Sequence, residues 1–188
     1  MRYWLAGVCA IAALLVMASQ ADARQARHIT LHVGDAFAVA GTDLACQTEV
    51  GRNVIKGHKL VTCFKLKGGK LQPHSYIAAL GTNGQVVVAP IGANGSIGAP
   101  VFGRRPAVVE AGARQITVHA GDELLLSGTD LACGINDDAS GIYPTCFRVT
   151  STGGRPGSYA FAETERFVAV VKFNSTGKKT KVVFKRQQ

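Results

Sequence analysis

Residues 26–46, ARHITLHVGDAFAVAGTDLAC, return as residues 113–133, ARQITVHAGDELLLSGTDLAC. At a constant offset of 87, 13 of these 21 positions are identical, and most of the others exchange one apolar residue for another. The correspondence resumes after a four-residue change of offset. Thr62-Cys63-Phe64-Lys65 answers Thr145-Cys146-Phe147-Arg148, and Pro73-His74-Ser75-Tyr76 answers Pro156-Gly157-Ser158-Tyr159. Towards the ends only the pattern persists: residues 86–89, 94–95 and 101–102 run parallel to 168–171, 176–177 and 183–184. Each of these sets reads as strand, glycine-containing turn, second strand, which is a hairpin signal. The chain is therefore a tandem duplication, and whatever one copy folds into constrains the other. The repeats run over residues 26–105 and 113–187, with 106–112 as a linker.

Strand signals dominate both copies. In Ile116-Thr117-Val118-His119-Ala120 apolar and polar residues alternate with the period of a half-buried strand, and Gly121-Asp122 then punctuates. Phe167, Ala169, Val171 and Phe173 share one face of another predicted strand. Beyond the leader no window carries an apolar stripe of helical period. Short strands punctuated by glycine predict an all-β fold of two small sandwich- or barrel-like modules. Separate lobes and one pseudo-symmetric sandwich are both compatible with the linker.

Residues 1–23 read as a secretory signal peptide: Arg2 is followed by an apolar run over 4–17 and by the small-x-small motif Ala21-Asp22-Ala23. The run is too short for a spanning helix, which needs about 20 residues, and no later stretch is apolar enough for one. The expected destination is the periplasm, the cell envelope or the medium. Cleavage near Ala23 removes Cys9 and leaves Cys46, Cys63, Cys133 and Cys146. An even number of cysteines in an oxidising compartment predicts disulfides. Because Cys46 is equivalent to Cys133 and Cys63 to Cys146, duplication of a module with one bond predicts Cys46–Cys63 and Cys133–Cys146. Each bond closes a loop of roughly 15 residues, worth on the order of 3 kcal/mol in the chain-entropy model.

No motif specifies a reaction. His32/Asp35 and His119/Asp122 recur at three-residue spacing and are the only pairs that suggest acid–base or metal chemistry. A Gly-Asp turn, with the carboxylate accepting from nearby amides, is the preferred reading, because duplication alone explains the recurrence. The cysteines lack the close C-x-x-C pairing of a zinc site. The mature chain has no methionine for a blue-copper site. Asn136-Asp137-Asp138 lacks the spacing of a calcium loop. Gly95-Ser96-Ile97-Gly98 is one residue short of a hydrolase elbow. Asn94-Gly95-Ser96 and Asn174-Ser175-Thr176 match the glycosylation pattern but fall at predicted hairpin turns. No cofactor and no metal is expected.

Charge is the more informative surface property. The net charge is +9, and removing Arg2 and Asp22 leaves it unchanged. Residues 50–109 contain no acid, whereas 110–166 hold eight acids and four bases, and the segment from Phe167 onward adds six cations and no acid. The expected binding surface is the basic loop of Arg52, Lys56 and Lys59 together with Lys178, Lys179, Lys181, Lys185 and Arg186. Its expected partner is an anionic polymer or envelope surface, or another exported protein. Aromatic residues are not interleaved with the basic run, so specific nucleic-acid recognition is not implied. The expectation is a non-catalytic exported binding or envelope-associated protein. The alternatives are a secreted enzyme inhibitor presenting the inter-cysteine loops 47–62 and 134–145, and an enzyme built on the His/Asp pairs.

Overall fold

A computed structural model of the chain describes residues 25–50, 58–103 and 114–188. The expected leader (1–23), the linker (106–112) and two of the expected binding residues, Arg52 and Lys56, lie outside the described residues. The fold is all-β. The first repeat forms β1 (His28–Leu31), β2 (Asp35–Val39), β3 (Leu44–Val50), β4 (Lys59–Lys67), β5 (Lys70–Leu71), β6 (Tyr76–Gly81) and β7 (Val86–Pro90). The second forms β8 (Arg114–Val118), β9 (Glu123–Leu126), β10 (Leu131–Asp138), β11 (Gly141–Thr150), β12 (Gly153–Gly154), β13 (Tyr159–Glu163), β14 (Phe167–Phe173) and β15 (Lys179–Gln187).

The strands make two sheets, ordered β1-β9-β10-β11-β13-β14-β15 and β7-β6-β4-β3-β2-β8, with β12 and β5 paired to β11 and β4. Each sheet thus takes its outermost strand from the other repeat. β1 pairs in parallel with β9, and β8 in parallel with β2, while the other ladders are antiparallel. Parallel neighbours need a long connection between them. Exchange between copies supplies it, because β1 and β9 are far apart in sequence. Locally, Gly34 (φ 98°) and Gly121 (φ 85°) make the corners that follow the two exchanged strands, a left-handed backbone that glycine adopts freely.

The sheets pack face to face over one core shared by both repeats. Leu31, Phe37, Leu44, Val61 and Leu80 from the first pack with Val118, Leu124, Leu131, Phe161 and Val170 from the second. This is one sandwich, not two lobes. Cys46 lies directly opposite Cys63 on β3–β4, and Cys133 opposite Cys146 on β10–β11, with both pairs bonded and their Cα atoms 4.0 Å apart. All four cysteines are buried in the common core.

On β14 the face carrying Phe167, Ala169, Val171 and Phe173 is the outer one, and the core is filled by Val168 and Val170. The second predicted hairpin forms fully as β14–β15. Its counterpart in the first repeat does not form a continuous ladder: residues 97–102 meet β7 and its continuation at the isolated bridges Ile91↔Ile97 and Val88↔Phe102, with a main-chain bond from Gly98 N to the Pro90 carbonyl between them. Pro100 has no amide to donate to a ladder. Gly103 (φ 74°) lies so close to β7 that an added Cβ would sit 2.2 Å from the carbonyl oxygen of Val86.

Candidate functional site

The two His/Asp pairs form a reciprocal lock between the repeats. Asp122 accepts from the main-chain nitrogens of His119 (2.9 Å) and Arg27 (3.1 Å), and the Arg27 guanidinium closes on both of its carboxylate oxygens. Asp35 accepts from the main-chain nitrogen of His32 (2.8 Å) and from Arg114 Nε and Nη2, at 3.2 and 2.6 Å. Arg27 and Arg114 are themselves equivalent at the offset of 87. Each also donates to a carbonyl of the opposite exchanged strand: Arg27 to Thr117 (2.8 Å) and Arg114 to Thr30 (3.1 Å). Burial pushes the Asp122 carboxyl up, but the Arg27 and main-chain hydrogen bonds outweigh it and hold the group down at about 2. Asp35 is lowered through the same opposition. The histidines contribute main-chain amides. The His32 ring stands 3.8 Å from Asp35 with its side chain two-thirds exposed, and His119 Nδ1 is buried without a partner. Both carboxylates are occupied by the lock, an arrangement suited to holding strands together.

The GTD turns differ between copies. Asp130 binds Arg148 (Nη2 at 2.8 Å) and Arg155 (2.6 Å), and these bonds overcome burial to lower its pKa. Among the described residues its equivalent Asp43 receives only Gln72 Nε2 (3.2 Å) on its carboxylate. Lys65, equivalent to Arg148, turns instead to the carbonyl of Glu165 (2.9 Å), whose side chain accepts from Asp43 N (3.0 Å).

Sequence reasoning missed Glu163. It is fully buried at the place where the first repeat has Leu80, counting from the equivalent Tyr76 and Tyr159. Its Oε1 accepts from Gln188 Nε2 (2.8 Å), and its Oε2 has no partner. Burial drives this carboxyl well above the usual range. The Gln188 side chain also donates to the carbonyl of Thr164 (2.7 Å) and accepts from Tyr76 N (3.1 Å), tying the chain end to both repeats. The only sequence signal was a Glu inside an apolar strand.

The predicted basic surface is divided. Lys59 Nζ donates to the carbonyl of Ser127 (3.1 Å), so it serves the contact between repeats. Lys178, Lys179, Lys181, Lys185 and Arg186 all lie on the β14–β15 hairpin and are exposed. Aromatic rings that the sequence scatters converge beside them. Phe102 meets Phe184 (centroids 5.4 Å apart) and Tyr159 (6.3 Å). Arg186 lies over Phe184, Lys172 over Tyr159, and Lys185 Nζ is 3.9 Å from the centre of the Phe167 ring. Asp35, Asp122 and Asp130 all take arginine as their cation.

The second inter-cysteine loop is a tight hairpin. Tyr143 Oη donates to Asp138 (2.7 Å), and its own pKa is pushed up to about 12, by burial first and that bond second. The first loop is described only in part, because 51–57 lie outside the described residues. Asn94 and Asn174 accept from the amides of Ser96 and Thr176, the turn chemistry expected of them. Among the described residues no three His, Cys, Asp or Glu side chains converge as a metal site, and no helix is long and apolar enough to cross a membrane. Compared with protein-family models, with curated proteins and with solved structures, the chain matches none of them.

Proposed function

We propose that this is an exported, non-catalytic binding protein that holds an anionic polymer or envelope surface through the cations of its last hairpin. One observation carries the reading. Asp35, Asp122 and Asp130 are held by arginine, while Lys172, Lys178, Lys181, Lys185 and Arg186 stand in solvent with no acidic partner within 4 Å among the described residues. Lysine on a flexible stem is a strongly hydrated point charge, whereas arginine suits buried bidentate pairs. Arg27 and Arg114 take that bidentate role between the repeats, and four lysines of the last hairpin take the solvated one. Disulfides buried in the shared core are consistent with an oxidising destination. The reading predicts retention on heparin at low salt and elution as salt screens the charges. Elution no later than from a neutral resin overturns it.

A further inference from the structure

β15 ends the larger sheet, bonded to β14 on one side and to no described strand on the other. Eight of its nine residues are exposed, and its sequence KTKVVFKRQ contains neither proline nor glycine. Natural sheets ordinarily blunt an edge by shortening it, by placing proline or a few charges on it, or by covering it. The first repeat does this at the equivalent edge, where residues 97–102 lie against β7 in a proline- and glycine-broken path. The second repeat keeps a long strand with open main-chain donors and acceptors and guards it with cations and two irregularities of register, devices that discourage pairing with anything but a segment of opposite charge. Its cations flank a short apolar run: Val182 and Val183, 54% and 37% exposed, lie with Phe184 between Lys181 and Lys185. Lys185 and Arg186 are steadied on Phe167 and Phe184, which orders them along the strand.

A second copy of β15 is a poor occupant, because either pairing sets cations against cations, and like charges directly opposite destabilise a ladder. The molecule also contains the complementary solution. β1 and β8 are strands added to the edge of the other repeat's sheet, each pinned by an arginine–carboxylate pair. We infer that β15 is an acceptor edge for an extended acidic polypeptide segment, which adds to the sheet through main-chain hydrogen bonds and sets its carboxylates against Lys179, Lys181, Lys185 and Arg186. This rests on the hairpin being the contact surface and goes further in naming both the partner chemistry and the mode of binding.

The test titrates the purified protein with a synthetic peptide that carries Glu on both faces of the strand around a central Val pair, and with the same peptide N-methylated at alternate residues. N-methylation keeps the charge and removes the donors of one edge. The parent peptide is expected to bind at low salt and to protect β15 amides from hydrogen exchange. The methylated one is expected to bind about tenfold more weakly or worse, the loss of one or more net main-chain bonds. The triple variant Lys179→Glu, Lys181→Glu, Lys185→Glu should lose the parent peptide. Equal affinity for the two peptides overturns strand addition, and so does heparin retention without peptide binding; in both cases the basic-surface reading survives. Failure to hold either peptide or heparin removes both.

Discussion

The sandwich is closed on one side and open on the other. Where β1 and β8 lie, each sheet ends in a strand borrowed from the other repeat, and Arg27 and Arg114 bind an Asp and a carbonyl of the opposite copy. Where β15 lies, the sheet stops with its cations in solvent. The contrast teaches that positive charge serves two purposes here. At one edge it clamps buried carboxylates and fastens the duplicated halves, and at the other it stands in solvent, free for a partner. The fastening is itself uneven, since Asp122 receives Arg27 N in addition to the bonds that Asp35 receives from Arg114 and His32.

The strongest way to break the closed side is Asp122→Ala. It removes a buried carboxylate that organises both a turn and the Arg27 clamp. We expect a loss of about 2–4 kcal/mol, towards the lower end because Arg27 is partly hydrated. Denaturant titration should show the midpoint falling at unchanged slope, with Asp35→Ala costing less. Equal losses would remove the asymmetry drawn above.

Acid should act through the same group. With Asp122 held at about 2 in the folded protein, its stabilisation is complete above the ordinary carboxylate range. It fades as pH falls through about 4 towards 2, because the unfolded chain then binds the extra proton. Melting temperature should drop over that window, and Asp122→Asn should flatten part of the drop; Asp35, Asp130 and Asp138, lowered in the same direction, contribute to the remainder.

Glu163 has the opposite sign. Its folded-state pKa is raised, so its own contribution to stability is greatest below the ordinary glutamate range and declines as pH rises from there through the folded value. Glu163→Leu, copying Leu80, should raise stability by about 1–2 kcal/mol at neutral pH and remove that decline. A destabilised variant would mean that the Gln188 contact outweighs the burial of the acid.

On the open side, Lys178→Glu with Lys179→Glu and Lys181→Glu should change stability by no more than about 0.5 kcal/mol, since these side chains are solvent-exposed. The same change should abolish retention on heparin. A large stability effect would mean that the hairpin belongs to the fastening.

The duplication, the strand-dominated fold and the two within-repeat bonds could be read from residues because each is a local or copied pattern. Strand exchange could not. His32 and Asp35 announce a turn, but only the folded chain places Arg114 against that carboxylate, 79 positions away in sequence. Glu163 escaped because burial depends on the opposite sheet. Lys59 looked equivalent to the other loop lysines, yet it is held by Ser127 of the other repeat. The aromatic rings beside the last hairpin come from Phe102, Tyr159 and Phe184, on three separate segments that no window contains.

The central claim is that the two copies fold as one interlocked body, and native-state hydrogen exchange of the amides bonded between repeats tests it most directly. Ala40 N, Glu123 N and Ser127 N donate to Val118, Arg27 and Leu31 of the other copy. They should exchange only through global unfolding, at the same free energy as core amides of β4 and β11. Rapid exchange at these three positions while both disulfide-bearing hairpins stay protected would contradict it.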